Sequence, residues 1–210
     1  MLLLAFDTAT PAVTVALHDG DRVLAESTTV DARRHGELLA PGIARVLDAA
    51  GAAPHDLTAV AVGVGPGPYT GLRVGLVTAR ALGAALGVPV GGVCTLDVLA
   101  RAAALDGPFL VATDARRREV YWARYADGRT CLHGPCVGRP AHVPNRGEPS
   151  VGAGAARYPE AFDDVRPPEH PSAAVLAGIA AAGEALLPPR PLYLRRPDAV
   201  IPGRAKPVVR

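Results

Sequence analysis

Several stretches of this sequence carry residue types at spacings that could do chemistry. Asp7-Thr8-Ala9-Thr10 places a carboxylate and two hydroxyls directly after the apolar run Leu2–Phe6. Oxygen ligands and backbone N–H groups in such a position can hold a metal-bound phosphate. The same residue types also satisfy a tight turn by hydrogen-bonding the backbone two residues on, and these four residues alone favour the turn. A second stretch, Gly63 to Gly71, is rich in glycine and lies between an apolar run and a helical pattern, where phosphate cradles are found. Within Gly65-Pro66-Gly67-Pro68-Tyr69-Thr70, however, each proline removes an N–H that an anion nest needs. No Gly-Lys-Ser/Thr follows, so a rigid structural loop is expected.

The helical pattern after that loop has its own signature. Gly71, Gly75, Ala79 and Gly83 recur every four residues and form a flat stripe of small side chains. A glycine in a helix costs up to about 1 kcal/mol relative to alanine, so this stripe needs a reason. Either it packs inside the chain, or it lets the backbone of a partner approach. His35 has no second histidine at a metal-binding offset, which argues against a zinc hydrolase. Arg116-Arg117-Arg118 reads as a solvated turn that could also meet phosphate. Cys94, Cys131 and Cys136 show neither disulfide pairing nor zinc spacing. No catalytic residue and no metal ligand is assigned.

The elements that position these residues follow from periodicity. Leu2–Phe6 reads as a buried strand, and Val13–His18 with Arg22–Val30 as a hairpin around Asp19-Gly20. Leu38, Leu39, Ile43, Val46 and Leu47 have helical spacing over His35–Ala50, with Pro41 as a kink or the start of the regular part and Gly51 as the stop. Leu57–Val64 reads as a strand buried on both faces, then come a helix over Thr70–Leu86 and a strand over Val88–Val93. Thr95 can cap the next helix, with Asp97 in its first turn. Phe109–Thr113 and Glu119–Tyr125 form a second strand-turn-strand. Residues 133–171 read as loops with short strands, Ser172–Leu187 as a helix halted by Pro188-Pro189, and Leu192–Arg196 as a short extended piece. A poorly ordered tail is expected from Pro197. The boundary between two units, 1–104 and 105–210, is placed near residue 105.

Composition narrows the class. Of the 210 residues 49% are hydrophobic and 20% charged, which suits a folded globule and not a disordered chain. Aromatics make up only 4%, so the core must be built from Ala, Val and Leu with closely spaced elements. The net charge of +2 divides into an acidic first hundred residues and a basic remainder, and Lys206 is the sole lysine. That balance lacks the strong basic character of a nucleic-acid-binding domain. The start of the chain meets Asp7 too soon for a signal peptide, and Ala173–Gly183 falls short of the ~20 residues that a bilayer span requires. A reduced, cytoplasmic protein without a membrane segment is expected.

The Asp-Thr motif, the string Gly65-Pro66-Gly67-Pro68-Tyr69-Thr70-Gly71-Leu72-Arg73-Val74-Gly75, Asp114-Ala115-Arg116 with Glu119-Val120-Tyr121, and Tyr193-Leu194-Arg195 together resemble the TsaB (YeaZ) family through most of the chain. The resemblance implies an actin-like, sugar-kinase-like α/β fold of two RNase H-like subdomains, with mixed sheets flanked by helices. It implies a noncatalytic part in forming threonylcarbamoyladenosine next to the anticodon of tRNAs that read codons starting with A. The implied partners are a TsaD-like catalytic paralogue, which carries the His-x-x-x-His metal site absent here, and a TsaE-like ATPase. A homodimer of the isolated chain and contact with tRNA only within the complex are also implied. No cofactor is required by this chain, though ATP or ADP could lie at the interface with the paralogue. The family's dimer face maps onto His35–Ala50 and Thr70–Leu86, so His35, Leu38, Leu39, Gly71, Leu72, Gly75, Leu76, Ala79 and Gly83 are expected at a partner interface. Asp7, Thr8 and Thr10 are the candidate nucleotide contacts. Two rival readings stay open: a small actin-like kinase using Asp7 and Thr10 around Mg-ATP, and a peptidase, which the missing paired histidines disfavour.

Overall fold

The structure is a computed structural model and describes residues 1–184 and 186–195. Arg196 and the tail from Pro197 lie outside the described residues. The first sheet contains β1 (Leu3–Asp7), β2 (Ala12–His18), β3 (Val23–Val30), β4 (Ala59–Gly63) and β5 (Val90–Val93), in the order β3-β2-β1-β4-β5. The first three strands are an antiparallel meander, whereas β4 and β5 join β1 in parallel. At the Asp19-Gly20 turn, Gly20 takes φ +109° and the Asp19 carboxylate accepts the N–H groups of Asp21 and Arg22.

Both faces of this sheet are covered, which is why β1 and β4 read as near-continuous apolar runs. Helices α1 (His35–Ala50) and α2 (Tyr69–Leu86) lie on one face, where Leu39, Val46, Leu47, Leu72 and Leu76 pack with Leu4, Phe6, Val15 and Val62. Helix α1 continues through Pro41 instead of starting after it. The Glu37 carbonyl that Pro41 cannot serve is at an exposed residue, where water can substitute. The other face receives Leu176, Ala177 and Ile179 of the late helix α5 (Ala173–Ala181) against Leu3, Ala5 and Ala61.

A second sheet repeats the plan. It contains β6 (Phe109–Asp114), β7 (Val120–Tyr125), β8 (Cys131–Gly138), β9 (Ser150–Val151) and β10 (Val165–Arg166). Its order is β8-β7-β6-β9-β10, again an antiparallel meander followed by two parallel strands. Helix α3 (Thr95–Ala103) lies on one face through Leu96, Leu99 and Ala100, and the short α4 (Ala153–Arg157) contributes Ala155 on the other. The fold is thus two mixed sheets flanked by helices, the actin-like arrangement of two RNase H-like units. The sheets separate between α3 and β6, but helices cross over: α3 lies on the second sheet and α5 on the first.

Three segments differ from the sequence reading. Helix α5 ends at Ala181 instead of running to Leu187. Gly183 turns to φ +71°, and Leu187 exchanges both backbone hydrogen bonds with Gly92 at 2.8 and 2.9 Å, which a helical residue could not do. Strand β8 starts at Cys131, ahead of the stretch expected to hold loops with short strands, and runs eight residues to Gly138, with Gly134, at φ +112°, and Pro135 where its register with β7 shifts. Such irregular edge strands tolerate both residues. Helix α4, at five residues, is too short to show a helical period.

Candidate functional site

Asp7 ends a strand that the core covers completely, and its side chain turns inward. It is 0% exposed; Oδ1 accepts the Ala9 N–H at 2.7 Å and Oδ2 accepts the Thr95 hydroxyl at 2.7 Å. Burial pushes its pKa up to about 6, against the lowering effect of the Ala9 and Thr95 hydrogen bonds. Gly63, at the end of the parallel neighbour β4, makes room for this carboxyl, since a Cβ there would stand 2.0 Å from Oδ2. Thr95 therefore does not cap α3. Its hydroxyl serves Asp7, its N–H donates to the Gly65 carbonyl at 2.8 Å, and the N-cap position belongs to Cys94. Thr95 and Gly63 are the members of this site that sequence reading missed. The available signal was Asp7 itself: an acid ending a buried strand needs a donor, and strand ends across a parallel sheet supply one.

The hydroxyls of the motif also bond internally. Thr8 Oγ1 donates to the Gly71 carbonyl at 2.8 Å and accepts the Gly75 N–H. Thr10 Oγ1 accepts the Ala12 N–H at 3.2 Å. The loop before α2 packs onto this turn: Gly65 to Gly67 are buried, and a Cβ on Gly67 would meet the Ala9 carbonyl oxygen at 2.2 Å. Tyr69 and Thr70 are exposed at its end.

The small-residue stripe on α2 faces the chain's own sheet, which corrects the expected partner interface. Gly71, Leu72, Gly75, Leu76, Ala79 and Gly83 are all buried. A Cβ on Gly71 would meet the Thr8 carbonyl oxygen at 2.6 Å, and one on Gly83 would meet Val90 Cγ2 at 2.3 Å. Leu39 is likewise in the core, and Leu38 leans against it. The half-buried His35 has its Nε2 2.8 Å from the Thr10 carbonyl oxygen and so joins α1 to the Asp-Thr turn. The outward surfaces are different residues: Gly36, Ala40 and Ala44 on α1, and Tyr69, Arg73, Val77, Arg80 and Ala84 on α2. The Tyr69 ring stacks on Tyr193 at 5.7 Å, with the Arg73 guanidinium over it.

A cleft of about 270 Å³ opens between the two sheets. Thr8, Thr10, Arg33, His35, Thr70, Asp114 and Arg116 line it, but Asp7 does not. As the carboxylate that would carry a nucleotide-bound cation, Asp7 does not fit: both its oxygens are engaged and neither reaches the cleft. Among the described residues no group of three or more His, Cys, Asp or Glu is placed to hold a metal ion, and no helix is long and apolar enough to cross a membrane.

The family profile described as "TsaD: tRNA N6-adenosine threonylcarbamoyltransferase" matches residues 22–199. The solved structure of YeaZ from Pseudomonas aeruginosa superimposes with a TM-score of 0.78 at 31% identity, over 92% of this chain and 99% of that one. The chain belongs to the TsaB/YeaZ family. Within it, the Bacillus subtilis "tRNA threonylcarbamoyladenosine biosynthesis protein TsaB" is 36% identical over 126 residues, 60% of this chain and 55% of that protein. An uncharacterised protein of Mycobacterium tuberculosis is 49% identical over 94% of this chain and 93% of its own length. The motifs that mark this TsaB/YeaZ chain, Asp7 to Thr10 and Gly65 to Gly75, are the two segments that the Thr8 hydroxyl ties together.

Proposed function

We propose that this chain is a noncatalytic scaffold subunit of a machinery that forms threonylcarbamoyladenosine on tRNA. In this reading it pairs with a TsaD-like catalytic paralogue that a TsaE-like ATPase joins, in the cytoplasm, and it meets tRNA only within that complex. The observation that carries the scaffold role is the outward face of α1 and α2. Val77 is 60% exposed on α2, and Gly36, Ala40 and Ala44 give α1 a flat exposed stripe. Small residues at four-residue spacing let a second pair of helices approach closely along the ridges that helix packing uses. The commitment of both Asp7 oxygens and of the Thr8 hydroxyl to internal hydrogen bonds supports the noncatalytic part. A nucleotide, where one is bound, would belong to the interface with the paralogue and not to Asp7. Isolated chains would use the same face to form a homodimer.

Reconstitution tests the proposal. Omitting this chain from a mixture of paralogue, ATPase and unmodified tRNA should abolish threonylcarbamoyladenosine formation, and modification at the full rate without it would overturn the reading. Titrating the isolated chain with Mg-ATP in a calorimeter should give no binding heat; tight binding would favour the kinase reading.

A further inference from the structure

We propose that a band of arginines along the cleft and the adjoining end of the second sheet is a contact surface for the phosphate backbone of tRNA. This rests on the tRNA reading above. The band is continuous. Arg33 and Arg116 line the cleft between the sheets. Arg116 Nη1 stands 3.8 Å and Arg157 Nη1 3.9 Å from the same oxygen, Asp114 Oδ2. The Arg157 guanidinium lies over the ring of Tyr158 at 5.9 Å, and Tyr158 lines a second hollow of about 550 Å³ together with Arg118 and Arg139.

The turn between β6 and β7 produces this layout. Arg116, Arg117 and Arg118 all take left-handed backbone conformations, at φ +61°, +56° and +59°. Consecutive residues in that conformation fan their side chains around the turn, so Arg116 reaches the cleft while Arg118 reaches the second hollow. Backbone bonds hold the turn: the Arg116 N–H donates to Asp114 Oδ1, and the Glu119 N–H donates to the Arg116 carbonyl.

Charge is in excess along the band. Asp114, only 12% exposed at its side chain, lies between two guanidiniums that are 52% and 60% exposed, and one carboxylate cannot neutralise both. Glu160 and Asp163 face the second hollow. Nearby Asp31 is taken by Arg34, and Glu119 by Arg195. In the second hollow Arg118 and Arg139 are matched by Glu160 and Asp163, so the surplus is that of Arg33, Arg116 and Arg157 over Asp114, guanidiniums whose planar fork suits phosphate oxygens. Arginines in two separate hollows offer more than one phosphate contact, which suits a nucleic-acid backbone better than a single anion.

The test uses the assembled complex of this chain with its paralogue and unmodified tRNA, with affinity read by fluorescence anisotropy across a salt series. The triple variant Arg33→Ala, Arg118→Ala, Arg139→Ala spares the two arginines at Asp114. It should bind at least about tenfold more weakly near 0.1 M salt, with a log–log salt slope shallower by about 2 to 3, since each phosphate contact contributes about 0.9. Arg22→Ala, at the far end of the first sheet with its side chain 81% exposed, should change neither. Unchanged affinity and slope in a triple variant that melts like the parent overturns the proposal. So does retained tRNA binding with lost assembly, which would make the band a protein contact. Full modification in the mixture lacking this chain overturns instead the reading beneath it.

Discussion

The hydroxyl of Thr8 accepts the backbone N–H of Gly75 at 3.0 Å, fastening the turn after β1 to the second turn of α2. Helix and turn meet this closely only because residue 75 lacks a side chain: a Cβ there would stand 2.5 Å from Oγ1. Gly75→Ala should therefore lower unfolding stability by about 1–3 kcal/mol, through overpacking and the loss of buried hydrogen bonds. Gly75→Leu should leave too little stability for a folded chain. Urea denaturation followed by far-UV circular dichroism reads both. A Gly75→Leu protein that unfolds like the parent and merely stops associating would mean that the stripe faces outward after all.

Asp7 makes stability depend on pH in a direction opposite to most acids. Its folded-state pKa is raised from 3.8 to about 6, chiefly by burial. The folded state therefore holds the proton more tightly than the unfolded chain. Its stabilising contribution is fully present below pH 4 and is lost as pH rises through 6, a loss of as much as about 3 kcal/mol once Asp7 is ionised in both states. Asp7→Asn removes the charge and can still accept from Ala9, with Thr95 rotating its hydroxyl to accept from the amide. Its melting temperature should match the parent's near pH 4 and exceed it at pH 7.5. Parallel pH profiles for the two proteins would show that Asp7 is not held this way.

Much of this architecture was legible because the relevant signals are local. The Asp19-Gly20 turn, the double-sided burial of Leu57 to Val64 and the period of His35 to Ala50 each follow from a few consecutive residues. What was not legible depends on neighbours distant in sequence. The spacing of Gly71, Gly75, Ala79 and Gly83 defines a face of α2 but not what that face meets. That depended on Thr8 and Val90 lying beneath it. Thr95 has the residue type and position of an N-cap, yet Asp7, 88 residues away in the chain, claims its hydroxyl. Helix α5 is apolar all round and gives no period to show where it stops. Its end is set by Leu187 returning to Gly92.

The three thiols should separate by burial. Burial, with the charge of Asp97 second, pushes the Cys94 thiol up to about 12, and the side chain lies in the core against Leu96 and Phe109. Cys131 is exposed and Cys136 half-buried. A thiolate-trapping disulfide reagent at pH 8 should titrate Cys131 and Cys136 in the native protein and reach Cys94 only in denaturant, because the thiolate is the reacting species. Rapid native labelling of Cys94, read by peptide mass spectrometry, would place it outside the core.

The outward face of α1 and α2 yields the sharpest separation between folding and assembly. Val77 and Ala40 are exposed and make no contribution to the core cluster that α1 and α2 share with the first sheet. Substitutions there should leave stability within about 0.5 kcal/mol of the parent. The middle of a helix–helix interface tolerates little unpaired charge, so Val77→Arg or Ala40→Arg should weaken association with the paralogue by at least about 1.4 kcal/mol, or tenfold. Light scattering of the mixed proteins reads the association and a thermal melt reads the fold. The contrast with Gly75 decides between the two faces of α2: Val77→Arg should weaken pairing in a folded chain, whereas a side chain at position 75 should damage the chain itself. If Val77→Arg and Ala40→Arg both pair normally, the partner uses a different surface.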